Sequence, residues 1–168
     1  SIGDRSFISD SKISIVSERS YYYDKFNQGA TIVPRQFWFV DIKPHPTFGI
    51  NPKTPFVETS KRAIANAKKP YDDVRLKGNI ESEFIFGTLT GSELVPFGHL
   101  DIQTVVLPLE IQGNKFSLIT KEMARQKGKK NLYNWLEKVE RIWKEKRGEK
   151  NKESAITWLD YRKKVTNQ

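Results

Sequence analysis

Gly29-Ala30-Thr31-Ile32-Val33-Pro34-Arg35-Gln36-Phe37-Trp38-Phe39-Val40 gathers β-branched and aromatic side chains into one run with a single cation, Arg35, inside it. Continuous apolar character of this kind suits a strand buried on both faces. Residues 30–42 are therefore expected to form the principal strand. Pro34 cannot donate to a sheet ladder, so the strand should be bulged, at an edge or split there. Arg35 has two readings. Its guanidinium carries a fixed charge and a planar fork of donors, suited to phosphate or to a guanine edge. The commoner fate of an arginine beside aromatics is structural, facing solvent or paired with a carboxylate.

Outward from this run, Ile13 and Ile15 alternate with serines, and residues 7–16 read as a strand. Residues 43–56 hold Pro44, Pro46, Pro52, Pro55 and Gly49 and read as turns. Thr59-Ser60 should cap a short helix over 61–69 that Pro70 ends. Helix and strand compete over residues 79–90, where Ile80, Phe84, Ile85, Phe86 and Leu89 are the apolar positions, and the reading leans to a helix. Leu94-Val95-Pro96-Phe97-Gly98 reads as strand plus turn, and residues 104–109 as a strand. Gly113-Asn114 should turn the chain into residues 115–119. After Thr120 the pattern changes. Leu132, Trp135, Leu136, Val139, Ile142 and Trp143 recur at steps of three and four. This predicts an amphipathic helix from Asn131, its expected cap, to about Arg147, stopped by Gly148. A second short helix should begin near Ser154. Strands first and helices later imply an α+β fold. The expected organisation is one domain, with a mixed β-rich body over 1–120 and a basic helical segment over 121–168.

The chain of 168 residues contains no cysteine, which excludes disulfides and thiolate metal sites. No apolar run approaches the roughly 20 residues that span a bilayer. The first residues lack the basic start and apolar core of a signal peptide. A cytoplasmic protein without membrane contact is the expectation. The net charge of +9 is uneven. Residues 1–114 carry 13 Lys/Arg and 13 Asp/Glu, whereas residues 115–168 carry 16 and 7. Such asymmetry fits a polyanion surface, nucleic acid first, or a solubilising helical face that binds nothing.

Catalytic patterns are sparse. The two histidines, His45 and His99, share no ligand spacing. No nucleophile elbow, phosphate loop or dinucleotide fingerprint occurs. Asn51-Pro52-Lys53-Thr54-Pro55-Phe56 approaches the Asn-Pro-Pro-aromatic motif of amino-group methyltransferases, but two residues inserted between the prolines break its geometry. Asp72-Asp73 after Pro70-Tyr71 reads as a turn. No catalytic, cofactor or metal residue is assigned. The basic cluster Arg125, Lys127, Lys129 and Lys130 around Gly128 reads as an exposed loop suited to phosphate contact. Trp135, Trp143 and Trp158 are expected in the core. Arg35, Lys43, Arg125, Lys127, Lys129 and Lys130 are the candidate nucleic-acid contacts.

Tyr21-Tyr22-Tyr23-Asp24-Lys25-Phe26-Asn27-Gln28-Gly29-Ala30-Thr31-Ile32-Val33-Pro34-Arg35 and its aromatic continuation resemble the region after the catalytic domain in large N6-adenine DNA methyltransferases of restriction–modification systems. Residues 83–90, 94–98, 105–109, 135–147 and 159–168 are similar to that region in the same order. The resemblance implies the start of a TaqI-like C-terminal specificity portion. It implies a non-catalytic, target-recognising fragment of a longer chain, with double-stranded DNA as partner. S-adenosylmethionine would belong to the missing catalytic domain of the same parent. The alternative is a structural module joining the methyltransferase to a partner subunit.

Overall fold

The computed structural model describes residues 29–147 and 153–166, in an α+β arrangement. The strand expected over 7–16, the Tyr21-Tyr22-Tyr23 cluster and the helix stop at Gly148 lie outside these residues.

The opening run does not make one strand. It splits after Pro34 into a short helix α1 (Arg35–Trp38) and strand β1 (Phe39–Lys43). Pro34 accepts from the Phe37 N–H at 3.1 Å and starts the helical turn. Gln36 explains why the turn is kept. Its side chain is buried and donates to the Ala63 carbonyl at 3.1 Å, while its own carbonyl accepts from Thr59 Oγ1 at 3.1 Å. Unpaired, these groups would each cost about 1–3 kcal/mol.

Strand β1 pairs with β2 (Phe56–Thr59) on one side and β7 (Gln103–Val106) on the other. Strands β3 (Lys77–Asn79) and β4 (Ile85–Thr88) complete an antiparallel five-stranded sheet, ordered β3-β2-β1-β7-β4. The helix expected over 79–90 is thus corrected: a 3-10 turn over Ser82–Phe84 leads directly into β4. The ladder decides it, with Ile85 opposite Val106 and Phe86 opposite Val105. Two hairpins lie outside the main sheet. One is β5 (Leu94–Val95) with β6 (Gly98–His99), the other β8 (Leu109–Gln112) with β9 (Lys115–Leu118). Gly113 takes φ +59° in the second, the conformation that tight hairpin turns require.

Helix α2 (Lys61–Ala65) begins at Ser60, whose hydroxyl accepts from the Ala63 N–H. It ends well before Pro70. Asn66 closes it by donating from both its backbone and its side chain to the Arg62 carbonyl.

Helix α3 (Lys121–Gln126) takes in Arg125, and Lys130 opens the next helix, so the loop expected over the basic cluster narrows to residues 127–129. Thr120 caps the start of α3. Its end is a Schellman motif: Gly128 sits at φ +70°, Lys129 N–H donates to the Ala124 carbonyl at 2.9 Å, and Gly128 N–H to that of Arg125 at 3.1 Å.

Helix α4 (Lys130–Arg147) buries Leu132, Trp135, Leu136, Val139 and Trp143, with Ile142 half-buried. Asn131 is not its cap. Glu81 caps it from across the fold, its two carboxylate oxygens accepting from the Asn131 and Leu132 N–H groups at 2.9 Å each. A charged acceptor at a helix N-terminus also meets the positive end of the dipole. Trp135 Nε1 donates to the Phe37 carbonyl at 3.2 Å, and Lys138 Nζ to that of Lys77 at 3.0 Å. Helix α5 (Ala155–Leu159) starts at Ser154, which accepts from the Thr157 N–H. Among the described residues, no helix is long and apolar enough to cross a membrane.

Candidate nucleic-acid interface

Five cations from separate parts of the chain meet at one cleft of about 720 Å³. Arg35 comes from α1 and Arg62 from α2. Lys68 and Lys69 follow α2, and Arg147 ends α4. No carboxylate lines the cleft among the described residues. Tyr71 and Trp158 form its aromatic wall.

The aromatic wall is fixed from behind. Tyr71 stacks on Trp143 at 5.9 Å between centroids and an angle of 12°, and Phe37 meets Tyr71 edge-on at 5.3 Å. Trp143 Nε1 donates to the Glu153 carbonyl at 2.8 Å. The Arg147 guanidinium packs on the Trp143 and Trp158 rings, 4.3 Å from each centroid. Ring contacts of this kind hold a guanidinium by the electrostatics of the π face and leave its edge donors open. Arg35 is exposed, with its guanidinium 5.5 Å from the Phe39 centroid.

Arg62 is the one cation of the five with an ion pair among the described residues. It binds Glu93 and donates to Ser92 Oγ at 2.9 Å. Glu93 is buried at 1 % exposure. Its carboxylate accepts from Thr90 Oγ1 and, at 2.9 Å each, from Thr90 N–H, Ser92 Oγ and Gln103 Nε2. These donors, the Thr90 hydroxyl foremost, lower its pKa from 4.5 to about 2. The β5–β6 hairpin springs from this anchor.

The other candidate residues lie elsewhere. Lys43 borders a second depression with His45, Phe48, Phe56 and Glu58. Lys127 pairs with Glu110 at 2.5 Å, and Lys129 with Glu83 at 2.6 Å, a bond that raises the lysine's pKa. Arg125 borders a shallow depression with Lys121 and Tyr133. Arg125 and Lys130 form no ion pair among the described residues. Lys146 is likewise turned back on the body, 2.6 Å from Asp73, whose pKa that bond lowers. Part of the C-terminal positive excess is therefore spent on acidic groups of the sheet region. Trp135 and Trp143 are core residues, whereas Trp158 is half-buried at the cleft.

Sequence reasoning missed Arg62, Lys68, Lys69 and Arg147 as one site. In the sequence Lys68 and Lys69 fall at the end of the predicted helix, where they complement its dipole, and Arg62 and Arg147 are only members of predicted helices with no role assigned. The available signal was composition: this stretch, 61–69, carries four cations and no acid. The histidines serve local turns. His45 Nδ1 accepts from the Thr47 and Phe48 N–H groups at 3.2 and 3.3 Å, and His99 Nδ1 donates to the Leu100 carbonyl at 2.7 Å. Asn51 Oδ1 accepts from the Lys53 and Thr54 N–H groups at 3.0 and 3.3 Å, which commits that side chain to its own turn. No group of three or more His, Asp or Glu able to hold a metal occurs among the described residues.

Compared with known proteins, the chain matches no family model, no curated protein and no solved structure.

Proposed function

We propose that this chain is the DNA target-recognition part of an adenine-specific DNA methyltransferase of a restriction–modification system. In this reading it is a non-catalytic module that grips duplex DNA at the Arg35–Arg147 cleft. The observation that carries the binding half is the meeting of five cations at a cleft with no lining carboxylate. Four of them form no ion pair among the described residues. Clustered guanidinium and ammonium groups neutralise phosphates and release condensed counterions. The methyltransferase half rests on the resemblance carried by residues 21–35 and the segments 83–90, 94–98, 105–109, 135–147 and 159–168 that follow in order.

Within that reading the roles divide by geometry. Lys68 and Lys69 are flexible point charges suited to backbone phosphates. Arg147, braced on two indoles, presents a fixed fork. Arg35 stands exposed at the rim, where a planar fork can meet phosphate or the O6 and N7 edge of guanine. The family's cofactor, S-adenosylmethionine, finds no matching residues here. There is no glycine-rich loop, and the nearest approach to the catalytic motif has Asn51 bound to its own backbone. Methyl transfer belongs to another domain, which extrudes the adenine.

Retention of duplex DNA across a salt series tests this. The expected result is binding that weakens linearly with log salt and, after competition with mixed-sequence DNA, favours one duplex. A chain that fails to retain any duplex at low salt refutes it. The rival, a protein-interaction module, draws on the apolar side chains exposed around the β5–β6 hairpin.

A further inference from the structure

The β5–β6 hairpin presents side chains that a lone ribbon ordinarily hides. Leu94 is 61 % exposed, Leu100 56 %, Ile102 58 % and Phe97, at the tip, fully exposed. The turn is Pro96-Phe97, closed by the Val95–Gly98 pair. Phe97 takes φ +65°, a left-handed conformation that favours glycine and costs a bulky side chain. An aromatic ring is thus held outward in a strained backbone, away from the core.

The ribbon is also firmly rooted. Leu100 N–H donates to the Glu93 carbonyl at 2.8 Å, and the Glu93 carboxylate gathers Thr90, Ser92, Gln103 and Arg62 beneath it. Two of those partners, Arg62 and Ser92, line the cationic cleft. The root of the hairpin and the cationic cleft therefore share Arg62 and Ser92, both bonded to the one buried carboxylate of Glu93. A partner that covers both tip and cleft must offer anionic groups on its outside and flat apolar faces within reach. Duplex DNA offers both, as phosphates and as stacked base steps.

We infer that the β5–β6 hairpin is a wedge: Phe97 inserts between two base pairs of the duplex whose phosphates lie in the Arg35–Arg147 cleft. This rests on the DNA-binding reading above. Apolar side chains inserted from the minor groove unstack a base step and kink the duplex, most cheaply at flexible pyrimidine–purine steps. Pro96 and Phe97 are both residue types used this way. The anchored root supplies the stiffness that a wedge needs.

The test compares the full chain with Phe97→Ala and Phe97→Trp. The probe is a set of short mixed-sequence duplexes carrying 2-aminopurine beside a pyrimidine–purine step. Phe97 touches no core, so the melting temperature of each variant should match that of the unaltered chain. The unaltered chain should raise 2-aminopurine fluorescence on binding. Phe97→Ala should abolish the rise and weaken binding roughly 5- to 150-fold, the range for losing one base–aromatic stack. Its slope of log affinity against log salt should stay the same, because no charge is lost. Phe97→Trp should keep the rise. Duplex binding by the unaltered chain with no fluorescence rise, or with equal affinity in Phe97→Ala, overturns the wedge while leaving the DNA-binding reading intact. In that event the hairpin becomes a protein-docking element. No duplex binding at all overturns both.

Discussion

Replacing Lys68 and Lys69 together by alanine should separate the cleft from the basic segment as the track for DNA phosphates. Both lysines are exposed and line the cleft, and neither forms an ion pair among the described residues. Each phosphate contact contributes about 0.9 to the slope of log affinity against log salt. Losing two should make that slope shallower by about 1.8. Between 50 and 200 mM salt the unaltered chain should then lose roughly tenfold more affinity than the variant does. The control is Lys127→Ala with Lys129→Ala. These lysines are already neutralised by Glu110 and Glu83. Already paired with carboxylates, they neutralise few phosphates and displace few of the counterions condensed on DNA, so their loss should move the slope much less. Fluorescence anisotropy with one labelled duplex, titrated at several salt concentrations, reads all three proteins. A slope that falls in the Lys127/Lys129 variant and holds in the Lys68/Lys69 variant would refute the assignment of the cleft.

Leu136 is wholly buried on α4, so Leu136→Ala should cost roughly 2–5 kcal/mol in denaturant melts. Glu81→Ala removes the two-oxygen cap of α4 and should cost about 1–2 kcal/mol, read as a shift in the urea midpoint. Glu93 has a folded pKa of about 2 against an ordinary 4.5. Because the folded value is depressed, its contribution is complete above pH 4.5 and is lost as pH falls toward 2. The melting temperature should therefore drop across that window, and the drop should shrink in Glu93→Gln.

Helix α4 was legible because its apolar residues recur at helical spacing, a signal held entirely in local sequence. Its cap was not. Asn131 is an acceptable capping residue type, but Glu81, fifty residues earlier, does the work. The same remoteness hid β4. Ile80 and Phe84 stand four apart and suggest a helical stripe, whereas Ile85 and Phe86 are fixed by Val106 and Val105, which a local window does not contain. Arg125 to Lys130 looks like a site because its cations are adjacent in the chain, yet Lys127 and Lys129 answer to carboxylates on the sheet side. The cleft shows the reverse case. Its cations come from residues 35, 62, 68, 69 and 147, a cluster only once the chain has folded.

The bond from Trp135 to the Phe37 carbonyl joins residues 98 apart in sequence. Together with the Glu81 cap and the Lys138–Lys77 bond, it makes α4 a clasp over strands synthesised long before it. During translation the sheet must wait, with one apolar side open, until residues past 130 leave the ribosome. The aromatic wall of the cleft waits too, since Tyr71 has no Trp143 to stack on and Arg147 does not yet exist. Closure of the core and completion of the cleft's set of cations are therefore a single event: a nascent chain halted before α4 holds Arg35, Arg62, Lys68 and Lys69 but has neither Arg147 nor the helix that covers the sheet.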